Sequence, residues 1–168
     1  MRLTVTGAAR TELGERLGGF VYGTIVVLSV VVAGARDYGH EPGRVAALAA
    51  ITCVVFWLAH VYAHALGDTV AHEERLSRHR LWTIARREAS IVEAAVPPVA
   101  ALLLGTFGIV AGRTALWLAF VLGLVVLAAQ GVVYARVERL AALGTLCVVA
   151  ANIALGLLLV ALKLFLSH

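Results

Sequence analysis

Charge is what this sequence has little of. Only 14% of its 168 residues are Asp, Glu, Lys or Arg, against roughly a quarter in a soluble domain. Hydrophobic residues make up 61% and the mean hydropathy is +0.93. A soluble domain of this size buries only about two-thirds of its chain surface, so water could not be kept from so much apolar side chain. A soluble enzyme, a disordered chain and a nucleic-acid-binding module are excluded. Cysteine is scarce as well. Cys53 and Cys147 both fall inside apolar stretches and read as small core residues, not as a disulfide or a zinc site. The sequence also lacks a serine–histidine motif, a phosphate-cradling glycine loop and a nucleotide signature, so no enzyme activity is expected. The short polar–apolar alternation of a membrane barrel is missing too.

Long apolar runs rich in Ala and Leu are present instead. A spanning helix needs about 20 mostly apolar residues, and five stretches qualify: Leu17 to Ala35, Val45 to Gly67, Ala94 to Gly112, Thr114 to Ala135 and Leu140 to Leu162. The expected fold is an all-α integral membrane protein, one domain over residues 1–168, with five transmembrane helices. A cytoplasmic, partly amphipathic helical insert, residues 68–93, joins the second and third. Arg113 alone separates the third and fourth stretches, which implies a tight hairpin. The segment before Leu17 carries Arg2, Arg10, Glu12, Glu15 and Arg16 and has no signal-peptide pattern, so the first apolar stretch is expected to remain as a helix.

Basic residues orient the chain. Ten of the 14 lie in the N-terminal segment, the insert and the loop at Arg136 and Arg139; the other four are Arg36, Arg44, Arg113 and Lys163. This bias predicts a multi-pass inner (plasma) membrane protein with a cytoplasmic N-terminus. It also explains the net charge of +4 without a nucleic-acid partner.

Polar groups inside a bilayer are costly and therefore functional candidates. His60, His64, Asp68 and His72 recur every fourth residue. On one helix, neighbours lie about 6 Å apart and the outer pair about 18 Å apart. Such a ladder could hold a divalent metal ion between adjacent rungs or relay protons. Equally, the imidazoles could simply sit at the interface, bonded to water. Glu73 follows the ladder. Glu93 precedes Pro97 and Pro98, which free backbone carbonyls that would suit a hard cation, unless both prolines merely occupy a first helical turn. The insert arginines Arg75, Arg78, Arg80, Arg86 and Arg87 are expected to face lipid headgroups. Gly19 and Gly23 form a small-xxx-small pair suited to close helix packing, either in a homodimer or within the chain. Gly108 and Gly112 repeat that spacing. Gln130 and Asn152 read as interhelical hydrogen-bond partners.

The layout resembles the vacuolar iron transporter family. The matching order is RLGGFVYGTIVVLSVVVAG, AALAAITCVVFWLAHVYAHALGD, an acidic and histidine-containing insert, PPVAALLLGTFGIVAG, and a closing pair joined by ARVERLAALGTL, over residues 16–166. The resemblance implies five spans, a first helix at a dimer interface and a cytoplasmic metal-binding insert. The sequence departs from the family at known places. Tyr22-Gly23 stands where the family's first helix carries aspartate before glycine, and the insert is shorter. His60, His64, His72, Glu73 and Glu93 would then replace the usual ligands. The expectation is a small, dimeric, transporter-like protein for a divalent cation (Fe2+ or Mn2+), with proton exchange as a further element. The alternatives are a proton- or ion-conducting channel-like protein and a non-transporting interaction protein whose insert binds anionic lipid.

Overall fold

The structure is a computed structural model and describes residues 7–72 and 77–166. Within these residues the chain is helical, with no strand. The order is α1 (Gly7–Asp37), α2 (Pro42–His72), α3 (Arg78–Arg87), α4 (Ser90–Glu93), α5 (Val96–Thr106), α6 (Gly112–Val137) and α7 (Ala142–Leu166). The long helices alternate in direction. α1 packs against α2, α6 and α7, and α5 packs against α2 and α6. α3 and α4 cross at the end of the bundle where α1 begins and α2 finishes.

Three helices are long and apolar enough to cross a membrane: Glu12–Asp37, Pro42–Val70 and Gly112–Val137. The number rises to four if Arg78–Glu93 and Val96–Thr106, bent by 50°, act as one span. Their faces divide as a bilayer requires. Val27, Val31, Val45, Ala49, Cys53, Leu102 and Ala119 close the main core, and Leu28, Leu127 and Val160 a second. Ile51, Val55 and Leu58 of α2, like Val121 and Val125 of α6, point outward. An outward apolar surface of this extent suits hydrocarbon as its solvent.

The third apolar stretch departs from expectation. Its apolar run extends from Ala94 to Gly112, but α5 covers only Val96–Thr106, about 16 Å of rise. The stop is Gly108, whose φ of 71° is left-handed. Its amide bonds the Gly105 carbonyl at 3.1 Å, and Ile109 N bonds Leu104 O at 2.9 Å. These two bonds form a glycine C-cap of the Schellman type. Gly108 therefore ends a helix instead of pairing with Gly112 in a packing stripe. The hairpin before α6 is correspondingly wider than Arg113 alone. At the other end Pro97 and Pro98 lie in the first turn of α5, where a missing amide costs nothing.

The tightest contact joins α1 to α4. A Cβ on Gly23 would lie 2.5 Å from the Ile91 carbonyl oxygen and 2.9 Å from its Cα; one on Gly19 would lie 2.3 Å from Ser90 Oγ. The glycine pair is thus used within the chain. Gly14, on the same helix, has open space around it. Gly23→Ala should therefore destabilise the bundle by about 1–3 kcal/mol, as overpacking against backbone does. Gly14→Ala should be neutral or stabilise by up to about 1 kcal/mol through helix propensity. Thermal unfolding of both variants in one detergent checks this, and equal midpoints would contradict the close approach.

Candidate functional site

α2 is continuous from Pro42 to His72, without a break at Gly67 or Asp68. His60, His64, Asp68 and His72 therefore share one helix, each one turn beyond the last. The side chain of His72, and all of Glu73 and Arg75, lie outside the described residues. α3 is capped by Ser77, whose side chain accepts from Arg80 N at 3.2 Å, a regular N-cap. It folds back along α2. Ile84 and Ala85 bury against Val61 and Ala65, with Trp57 at the edge. Trp57 Nε1 donates to the Ala85 carbonyl at 2.9 Å. The other edge of α3 leaves Leu81, Trp82, Arg78 and Arg86 exposed, an amphipathic division suited to a headgroup layer.

This docking brings titratable groups from four helices together. His64 Nδ1 lies 3.5 Å from Glu88 Oε1, whose side chain is only 11% exposed. Arg87 Nε lies 3.6 Å from the same Glu88 oxygen and 3.3 Å from Glu15 Oε2 of α1. Its N–H is buried and aimed at neither oxygen, so the attraction is Coulombic more than hydrogen-bonded. Arg80 pairs with Asp68 at 3.6 Å and Arg16 with Glu93 at 3.1 Å. The last pair is half exposed on both sides and is worth only about 0.2–1 kcal/mol. Arg80 and Arg87 thus turn into the protein, while Arg78 and Arg86 stay exposed.

The imidazoles are oriented by their own helix. His60 Nδ1 contacts the Phe56 carbonyl at 3.0 Å, and His64 Nδ1 the His60 carbonyl at 3.0 Å. An Nδ1–H donated to a carbonyl leaves Nε2 as the acceptor, the tautomer through which histidines ligate metal. The two rings stand 6.5 Å apart, and the Tyr22 ring packs 5.1 Å from His60. Among the described residues no group of three or more His, Cys, Asp or Glu is arranged to hold a metal ion. Glu93 stands apart from the histidines, on Arg16. Asn152 Nδ2 reaches Leu127 O at 3.3 Å, bonding α7 to α6, whereas Gln130 is partly buried on α6.

Sequence reasoning passed over Glu88 and Glu15. Glu88 was legible in part, as the lone acid directly after Arg86-Arg87. Glu15 was not, because only the fold sets it beside Arg87. No family model matches the chain, and neither a curated protein nor a solved structure matches it.

Trp57→Phe keeps the ring and removes the bond to Ala85. A buried hydrogen bond contributes about 0.5–1.5 kcal/mol, so amides of Ile84 and Ala85 should exchange with deuterium up to about tenfold faster. Those in α6 should be unchanged. Acceleration throughout the bundle would mean that the bond supports more than the docking of α3.

Proposed function

We propose that this chain is a small multi-pass inner-membrane protein that handles a cation at its cytoplasmic end, through His60, His64 and Glu88. One observation carries the reading: Glu15 and Glu88 share a single guanidinium, Arg87. Arg80 faces Asp68 and Arg16 faces Glu93. Glu88, beside a guanidinium that it shares with Glu15, lies against His64, where a bound cation or a proton on the imidazole would add to its charge pairing. The transported species we favour is a divalent metal such as Fe2+ or Mn2+, in line with the vacuolar iron transporter resemblance and with two Nε2 acceptors on adjacent turns. Asp68, His72, Glu73 and Glu93 remain candidate ligands in this reading.

A second reading, proton conduction without metal, draws on the lack of a three-ligand cluster among the described residues and on the His64–Glu88 contact. In both readings five spans serve, with α3 kept as the cytoplasmic insert: α1, α2, α5 with its lead-in from α4, α6 and α7. Both readings use two copies of the chain. Thr24 and Ser29 on α1 bond carbonyls of their own helix, and Gly19–Gly23 is covered by α4, so the copies would meet on another face.

Metal titration of the detergent-purified protein, followed by flux into liposomes, tests the proposal. Wild type should bind Fe2+ or Mn2+ stoichiometrically, and His60→Ala with His64→Ala should abolish binding and uptake. Glu88→Gln, which removes the carboxylate charge beside His64, should weaken binding by roughly 10-fold or more, the order seen when a group supporting a metal ligand is lost. Absence of metal binding in wild type together with a proton current lost in the double variant would favour the second reading. Silence in both assays would sink the two together.

A further inference from the structure

Two polar atoms where α1 meets the end of α3 and the start of α4 are buried without a hydrogen-bond partner among the described residues: Arg87 Nε and Ser90 Oγ. They belong together. Glu88 and Ala89, which separate them, both have right-handed helical backbone, so residues 87 and 90 follow one helical path three positions apart and share a face. That face meets α1. Arg87 lies on Glu15 and Ser90 over Gly19, and Glu15 and Gly19 are one turn apart. Both unpartnered atoms therefore look onto the same turn of α1.

Gly19 decides what else that turn offers. A helical side chain covers the turn before its own Cα, so a glycine leaves the Glu15 and Arg16 carbonyls uncovered by any side chain of residue 19. The niche combines an N–H donor, a hydroxyl that both donates and accepts, and carbonyls with a second lone pair. Neither carboxylate answers the donor, because the Arg87 N–H is aimed past Glu15 and Glu88 alike. A water can answer all of them. Internal waters make about three hydrogen bonds to such groups. Entry is open too, since the side chains of Arg87 and Glu15 are 32% and 43% exposed. We propose that Arg87 and Ser90 hold one internal water against the Gly19 turn of α1. It takes the donor that the two glutamates leave unused and so keeps their shared guanidinium between them. The site stands on the contact of α1 with α4 and does not depend on the cation handled at His64, so its failure would leave that reading intact.

An X-ray pulse splits water where it lies, and hydroxyl radicals formed inside a protein oxidise the side chains beside that water. Ile91 is fully buried and adjoins Ser90 at Gly19, so it is the reporter. In the full-length protein in detergent Ile91 should be oxidised, whereas Leu102, equally buried in the main core, should not. Ser90→Ala should abolish the labelling of Ile91 and leave that of the exposed Trp82 unchanged. The same variant separates the alternatives by stability. With the water in place, Ser90→Ala takes a partner from the water that serves Arg87, and the thermal midpoint falls. Without it, the substitution only removes an unbonded buried hydroxyl, and the midpoint rises. The wild-type labelling needs no variant to fold. Ile91 left unlabelled in wild type, or a midpoint raised or unchanged by Ser90→Ala, overturns the proposal.

Discussion

The contact between Gly23 and the backbone of Ile91 holds the rest in place. Two backbones meet there with no room for a methyl group, so α4 cannot slide along α1. α4 continues from α3 within three residues, and this anchor sets how far α3 reaches along α2. The distances at Glu88, Arg87 and Glu15 all follow from that register. Ser90 shows the tightness of the fit: its hydroxyl is buried over Gly19 without a hydrogen-bond partner among the described residues. A buried hydroxyl left unbonded costs roughly 1–3 kcal/mol, a cost that a water bound there removes.

Hydropathy is readable because a bilayer demands it. The first, second and fourth apolar stretches correspond to α1, α2 and α6, each longer than its uncharged run because a helix continues past its first arginine. The third stretch misled for a local reason. Leu102 to Val110 carries no charge and only Thr106 as a polar side chain, but a left-handed backbone at Gly108 satisfies the final carbonyls and turns the chain. Hydropathy does not see φ. Similarly, period-four spacing made the His60–His72 ladder legible, yet it could not reveal that Asp68 would be taken by Arg80. Partners that are 77 or 72 positions apart, such as Arg16 with Glu93 and Glu15 with Arg87, leave no mark in local spacing.

The described charges divide between the two ends of the bundle, and the middle has almost none. Thr24 and Ser29, in the middle of α1, close onto carbonyls of their own helix. Little in the interior of a single chain therefore competes with the apolar packing of Leu28, Leu102 and Leu127. Each end then has its own chemistry: histidines and ion pairs at one, and Arg36, Asp37 and Arg113 around a groove at the other.

α2 has a mechanical meaning as well. It is an unbroken rod of 31 residues, about 46 Å long, and its two ends are held differently. At the first end Pro42 is wedged beside Gly105 and Gly112. At the far end the grip is side-chain contact with α3, through Trp57, His64 and Asp68. A rod this stiff carries position along its length, so the seat of Pro42 and the packing against α1 and α5 also decide where His64 and Asp68 meet their partners.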